Sequence, residues 1–392
     1  MMHYPYLIVG GGMTGDAAAR TIREVDPTAV VGLISAEEHP PYARPPLSKG
    51  LWKGDPESGI WRGTEAAGVH LRLGRRVTAI DAAARTVTDD HGEVVSYGRL
   101  LLATGGAPRR LPRDTEQIIY FRTYDDYRRL HALAGESLRF IVLGGGFIGS
   151  EIAAALRTAG REVVMLVPED GIGARVFPAD LSASLVDYYR EQGVEVRTGE
   201  GVAGLTPRAG KVILETTRGQ ELPGDVIVAG LGIRPDIALA EQAGVHVENG
   251  IVVDELLRSS VPDIYAAGDV ANFFNPALGK RLRVEHEDNA NTMGAAAGRA
   301  MAGQGVPYTH LPFFYSDLFA LGYEAVGELD ARHETVADWK EPFREGVVYY
   351  LEGGRVRGVL LWNTWGQVDA ARALIAEPGP FRPEHLRGRL PR

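Results

Sequence analysis

Two glycine-rich turns, each closing a short apolar run and opening a stretch of good helix formers, constrain this chain more than any other feature. The first reads Leu7-Ile-Val-Gly-Gly-Gly-Met-Thr-Gly15 and the second Phe140-Ile-Val-Leu-Gly-Gly-Gly-Phe-Ile-Gly149. In Gly10-x-Gly12-x-x-Gly15 the first glycine permits the tight turn, the second lets a pyrophosphate approach the backbone, and the third lets the helix pack on the strand. Unpaired N–H groups at the helix start would meet the phosphate, and the helix dipole favours its charge. A glycine turn can also be purely structural. Its place between a strand and a helix, twice in one chain, favours two dinucleotide sites.

Each turn opens a βαβ unit. After Gly149, Ser150 to Ala159 has good helix propensity, Gly160 is a left-handed cap, and Glu162 to Val167 returns as a strand. In the first unit Gly15 to Val25 reads as helix, Pro27 lies just beyond it, and Ala29 to Ile34 reads as a buried strand. An acidic residue about twenty positions after the turn accepts hydrogen bonds from a ribose 2′-hydroxyl in such units. Glu169 fills that place after Gly144, Gly146 and Gly149, and its carboxylate would repel a 2′-phosphate, which favours NADH, with NADPH as the alternative that nearby Arg175 would assist. In the first unit Glu37 is assigned the ribose contact, one place later than the simplest alignment.

Other apolar runs end in small residues, at Leu100-Leu-Leu-Ala-Thr-Gly105, Asp225-Val-Ile-Val-Ala-Gly230 and Ile264-Tyr-Ala-Ala-Gly-Asp269, where a ligand or another backbone can approach closely. From about Leu311 the sequence turns aromatic and alternating, and the runs on either side of Gly353-Gly354 predict a hairpin in an antiparallel C-terminal domain.

A chain of 392 residues implies two or three domains. The formal net charge of -9 argues against nucleic acid as a partner, and arginine groups such as Arg109, Arg110 and Arg113 read as solvated surface. No apolar stretch of membrane-spanning length occurs, and no leader precedes the strand at Tyr6 to Val9, so a cytoplasmic protein is expected. There is no cysteine, hence no thiolate nucleophile, redox disulfide or Cys-ligated cluster in the chain. No metal site is expected.

Taken together, these landmarks resemble the FAD-dependent pyridine nucleotide oxidoreductases of the ferredoxin reductase and apoptosis-inducing factor group, over nearly the whole chain. The markers are Tyr42-Ala-Arg-Pro-Pro-Leu-Ser-Lys49, Gly144 to Glu151, and Ile264 to Asp269. Similarity to apoptosis-inducing factors and their bacterial relatives is carried by Arg283-Val-Glu-His286, Tyr315-Ser-Asp317, Gly322-Tyr-Glu-Ala325, Gly346 to Leu351 and Leu361-Trp-Asn363. Three departures are a missing mitochondrial leader, a missing long insertion between Leu329 and Gly346, and Tyr315 where the family usually has tryptophan.

The resemblance implies an α/β fold with two Rossmann-like nucleotide-binding domains, glutathione-reductase-like, plus a C-terminal α+β domain with an antiparallel sheet. It divides the chain into an FAD-binding domain (1–113 and 246–308), an NAD-binding domain (114–245) and a C-terminal domain (309–392). FAD would contact Gly10, Gly12, Thr14 and Gly15 at the first turn, then Glu37, Arg44, Lys49 and Val77. Further contacts would come from Ala103, Thr104, Gly105, Arg122, Gly268 and Asp269, with Glu285, His286 and Tyr315 beside the flavin. NADH would contact Gly144, Gly146, Phe147, Ile148, Gly149 and Glu169. Lys49 and Glu151 would form an ion pair at flavin N5 and act catalytically. Phe147 either covers the flavin face or is a core phenylalanine. The residues from Asn289 to Met301 read as a helix whose start, in the family, points at flavin N1 and O2.

Without cysteine the electrons must leave the chain. The acceptor is then external, a small iron–sulfur carrier such as a ferredoxin or rubredoxin, a quinone, a dye-like molecule or oxygen; the resemblance favours the iron–sulfur carrier, reduced by a monomer or homodimer. The competing expectation is a redox-responsive protein that forms a long-lived reduced complex with NAD and changes its oligomeric state.

Overall fold

The computed structural model describes residues 1–136, 138–208 and 210–390. It divides into two compact units, the first formed by Met1–Arg44, Pro56–Ala107 and Arg234–Phe313, the second by Pro45–Asp55, Pro108–Ile233 and Phe314–Arg392.

The first unit is built on a seven-stranded sheet. Its centre is the strand Met2–Val9, flanked in parallel by Val31–Ile34 and Val94–Leu102, with His70–Arg72 outside the former and Ile264–Ala266 against the latter. The central strands are apolar along their length because both faces are covered. Leu7, Ile8, Val31, Leu33, Leu100 and Leu101 are all fully buried. Val77–Asp81 and Thr86–Asp89 extend the sheet as an antiparallel flap. Val9 lies level with Ile34 and with Leu102, and Leu102 with Ala266, so the carboxyl ends of four strands share one edge. In open parallel sheets that edge is where ligands bind.

The helix Met13–Val25 covers this sheet and is itself covered by the helix Glu287–Met301, which starts two residues before the expected Asn289. Small residues bring the two together. A Cβ on Gly294 would lie 2.5 Å from the Thr14 carbonyl oxygen, and one on Gly298 would lie 2.6 Å from that of Ala18. Asp16, fully buried in the first turn of the helix, is neutralised by Arg20 at 2.8 Å and Arg62 at 2.5 Å and accepts from Thr64 at 2.6 Å. A buried carboxylate without such partners would cost several kcal/mol.

The second unit repeats the βαβ pattern. A five-stranded parallel sheet runs Glu195–Thr198, Glu162–Val167, Arg139–Leu143, Val226–Ala229, Ile118–Ile119, with the helix Phe147–Thr158 following the second glycine turn. Gly160 takes φ +79, the left-handed value expected of it. A three-stranded antiparallel meander (Val202–Arg208, Lys211–Thr216, Glu221–Gly224), not anticipated from the sequence, buries Leu205, Val212, Leu214 and Leu222.

The same unit carries the expected antiparallel C-terminal sheet, ordered Phe313–Leu318, Leu321–Gly327, Arg355–Trp362, Glu345–Glu352, Glu334–Glu341. Glu345–Glu352 and Arg355–Trp362 form the predicted hairpin, in which Gly353 (φ +57) and Gly354 (φ +74) supply the two positive φ angles of a tight turn. This sheet packs within the unit through the Tyr350 hydroxyl, which donates to the Val176 carbonyl at 2.8 Å, and through Phe319 against Tyr188 and Tyr189. No helix among the described residues is long and apolar enough to cross a membrane.

Candidate active site

The two glycine turns have the same internal geometry, and it separates glycines the chain needs from glycines it does not. Gly10 (φ +124) and Gly144 (φ +99) hold conformations that side chains resist, and a Cβ would lie 2.1 Å from the Ala103 carbonyl oxygen in one and 2.5 Å from that of Gly230 in the other. Gly15 and Gly149 would strike the Gly10 and Gly144 carbonyl oxygens at 2.1 and 2.0 Å. The middle glycines differ. Gly12 (φ -80) and Gly146 (φ -83) are in ordinary extended backbone, and a Cβ on either would meet no protein atom within 4 Å. Both are N-cap residues that make no side-chain cap hydrogen bond, so the N-cap leaves the first N–H groups of each helix open to a ligand. Open space before uncapped N–H groups suits a pyrophosphate, and this is the observation on which the fit to two dinucleotides stands.

In the first unit, sequence-chosen residues gather at the carboxyl edge of the sheet. Ala103, Thr104 and Gly105 follow Val94–Leu102, and the Thr104 hydroxyl donates to the Asp236 carbonyl at 2.7 Å. Gly268 (φ +77) and Asp269 follow Ile264–Ala266, and a Cβ on Gly268 would lie 2.2 Å from the Thr14 hydroxyl, which packs that turn onto the first helix. Glu37, just past Val31–Ile34, accepts from the Tyr42 hydroxyl at 2.5 Å and from Arg44 at 2.6 Å. Burial draws the Arg44 guanidinium down, but Tyr42 and Glu37 outweigh it and leave its pKa raised. Glu285 pairs with Arg283 at 2.6 Å, and Arg283 also donates to the Asp269 carbonyl at 3.0 Å, tying two chosen segments together. His286 is the N-cap of Glu287–Met301, and burial lowers its pKa to about 4 against the opposing pull of Asp269 and Asp288, so the imidazole is neutral at neutral pH. Val77 is buried in the antiparallel flap, placed there by core packing.

In the second unit, Lys49 and Glu151, 102 residues apart in sequence, form an ion pair of 2.7 Å, with side chains 12% and 3% exposed. Glu151 is on the Phe147–Thr158 helix, one turn beyond its start, and Lys49 joins two short 3-10 turns, Pro45–Ser48 and Gly50–Lys53. Tyr315 places its ring 5.2 Å from the Lys49 ammonium. Phe147 is half-buried, 5.0 Å from the Phe314 ring at 56°, and therefore not a core residue; Ile148 beside it is exposed. Glu169 stands past the end of Glu162–Val167 and pairs with Arg175 at 2.5 Å, but Arg175 is 85% exposed and the pair contributes little to stability. Arg122 lies just before Thr123, the N-cap of Tyr124–Ala134, with its backbone N–H on Asp126 at 3.1 Å.

Two residues in this cluster went unread in the sequence. Ser48 donates to Glu151 Oε2 at 2.6 Å and Ser316 donates to Oε1 at 2.6 Å. Both stand in segments that carried the family resemblance, next to Lys49 and Tyr315, and a neighbouring chosen residue was the only signal. Of metal-ligating groups, Glu328, Asp330 and His333 lie together, but Arg357 approaches Glu328 at 3.3 Å and Arg332 binds Asp330 at 2.5 Å. The Arg332 hydrogen bond holds the Asp330 carboxyl down to about 2, and the positive charge already there opposes a cation.

A family model described as pyridine nucleotide-disulphide oxidoreductase matches residues 4–294. The chain belongs to this family. It is an oxidoreductase, and FAD and NADH are its cofactors. This member has no cysteine, so it works without the disulphide of the family's description. A second model, for the C-terminal part of mitochondrion-associated apoptosis-inducing factor, matches residues 297–342. The chain is 36% identical to the 5,5'-dehydrodivanillate O-demethylase ferredoxin reductase subunit of a Sphingobium species, over 96% of this chain and 94% of that protein. It is 35% identical to the anthranilate 1,2-dioxygenase system ferredoxin--NAD(+) reductase component of Burkholderia cepacia, over 97% and 96%. The putidaredoxin reductase–putidaredoxin complex shares its fold with a TM-score of 0.91 and 30% identity, over 98% of this chain and 96% of that one.

Proposed function

We propose that this oxidoreductase draws electrons from NADH and delivers them to a small iron–sulfur carrier of the ferredoxin type. The observation that supports the reading best is the Lys49–Glu151 pair, set on the very helix that the second glycine turn opens. Bound FAD would supply the conversion of the nicotinamide's two-electron chemistry into single-electron delivery, which is the cofactors' own. The tasks left to the chain are holding, orienting and charge placement.

In this proposal FAD is held at Gly10, Gly12, Thr14 and Gly15, with Glu37 on the ribose and Arg44, Thr104, Gly105 and Asp269 on the rest of the molecule. NADH is held at Gly144, Gly146 and Gly149, with Glu169 on its ribose. The domains that do so are 1–113 with 246–308 for FAD and 114–245 for NADH. Lys49 would serve flavin N5, where an ammonium would stabilise the electron density that reduction brings, and Glu151 would fix its direction. Neutral His286 and the start of Glu287–Met301 would serve N1 and O2, where the dipole would favour an anionic ring. Phe147, half-exposed, would cover the flavin until the nicotinamide took its place.

The carrier is inferred from the relatives' names, which describe ferredoxin reductase components, and a cytoplasmic setting belongs to the same proposal. The apoptosis-inducing factor match at 297–342 supports a second reading, a redox-responsive protein with a long-lived reduced state. Steady-state assays of NADH-dependent cytochrome c reduction separate the two. The reductase reading expects a rate proportional to added [2Fe–2S] ferredoxin; a rate indifferent to ferredoxin counts against it.

A further inference from the structure

We propose that Ser316 is a positioning residue for Glu151 and through it for Lys49, setting how much carboxylate charge the flavin experiences. The inference rests on the reading that Lys49 and Glu151 face flavin N5.

The Glu151 carboxylate is saturated in an ordered way. Its Oε1 accepts from Lys49 Nζ at 2.7 Å and from Ser316 Oγ at 2.6 Å, and its Oε2 accepts from Ser48 Oγ at 2.6 Å. Ser48 precedes Lys49 in the chain and moves with it. Ser316 comes from elsewhere, the strand Phe313–Leu318 of the C-terminal sheet, and is fully buried. It therefore ties the carboxylate to the C-terminal sheet as well as to the lysine turn. Sharing Oε1 with the ammonium, it also draws negative charge from the oxygen that faces Lys49.

A serine hydroxyl has one proton and two lone pairs, so its direction is undetermined until a partner fixes it. Here the carboxylate does, taking the proton at 2.6 Å. Ser316 is fully buried, so water does not compete for that proton, and Lys49 donates to the same oxygen from the other side.

Removing the Ser316 hydroxyl leaves Oε1 with the ammonium alone and its charge less well spread. More negative potential then reaches the flavin, which becomes harder to reduce. A hydrogen bond to a charged group, expressed fully in the rate, is worth roughly tenfold or more. The test measures NADH-driven flavin bleaching by rapid mixing, the flavin midpoint potential by spectroscopic titration, and the melting temperature of Ser316→Ala, Ser316→Thr and Lys49→Met in the FAD-loaded protein. The expected result is that Ser316→Ala slows bleaching about tenfold at unchanged KM for NADH and moves the potential more negative, while Ser316→Thr restores both. If Lys49→Met slows bleaching but Ser316→Ala lowers only the melting temperature, with native rate and potential, Ser316 is structural and the inference falls. A native rate in Lys49→Met removes the underlying reading instead. Should Ser316→Ala fail to fold, Ser316→Cys keeps the size of the side chain but weakens the donor; a smaller shift in the same direction supports the inference, and none overturns it.

Discussion

Substituting alanine at each of two glycines three residues apart tests whether the second turn is shaped for a ligand or only for itself. At Gly149 a Cβ would stand 2.0 Å from the Gly144 carbonyl oxygen and 3.0 Å from its carbon, both backbone atoms that cannot step aside. Overpacking of this kind costs about 3 kcal/mol or more, a fall of about 6–12 °C in the melting midpoint. At Gly146 the same methyl meets nothing within 4 Å, and φ is -83. Alanine there restricts the unfolded chain, a gain of about 0.4–1 kcal/mol, and is a poorer N-cap than glycine by a similar amount. The two nearly cancel, so stability should stay within about 0.5 kcal/mol of the parent. NADH binding should not stay. The methyl enters the open space before the helix start, where the phosphate would sit, and a lost charge-assisted contact of about 1.5–3 kcal/mol weakens affinity roughly ten- to hundredfold. Thermal melts of the free protein and NADH titrations of both variants give the comparison. Native NADH affinity in Gly146→Ala, or a loss of stability above about 2 kcal/mol there, would refute the division of the glycines into structural and ligand-facing.

Glu169→Ala should lower kcat/KM for NADH about tenfold or more while sparing NADPH, as steady-state kinetics with both coenzymes would show, and an unchanged ratio would remove Glu169 from the ribose. Gly294→Ala drives a Cβ to 2.5 Å from the Thr14 carbonyl oxygen and should cost about 1–3 kcal/mol by denaturant melts, with reduced FAD retention because Thr14 sits in the first turn. His286 gives a pH dependence whose sign follows from its lowered pKa. Between pH 6.5 and about 4 the unfolded state takes a proton that the folded state refuses, so stability falls with falling pH, by up to about 1.4 kcal/mol per pH unit and less for its partial exposure. Melts of the FAD-free protein should show that decline, and His286→Gln should flatten it.

The parts legible in the sequence were those whose cause is local. Gly10, Gly12 and Gly15 lie within six residues of one another between a strand and a helix, so their pattern is visible without the fold, and Gly353-Gly354 marks its hairpin in the same way. Lys49 and Glu151 are 102 positions apart, and only the family resemblance joined them before the structure brought them to 2.7 Å. Ser48 and Ser316 had no such help. Serine is common, its spacing to Glu151 is 103 and 165 residues, and its role appears only once the carboxylate's second and third donors are identified. The meander from Val202 to Gly224 was missed for another reason. The outer strands bury only one or two residues each, as at Leu205 and Leu222, and alternation that short is indistinguishable from a loop; only the six-residue middle strand alternates, at Val212, Leu214 and Thr216. Phe147 stood between two expectations because sequence does not record what lies opposite a ring; Phe314 does, and leaves it half-buried.

A single-turnover experiment decides whether electrons enter from NADH and leave to an external iron–sulfur carrier. The FAD-loaded protein is reduced with one equivalent of NADH without oxygen and then mixed rapidly with oxidised [2Fe–2S] ferredoxin while both chromophores are followed. Flavin absorbance should return within the same fraction of a second as the ferredoxin is bleached, at two ferredoxins per flavin. A reduced complex that ignores ferredoxin, persists for minutes in air and changes its sedimentation would overturn the reductase reading.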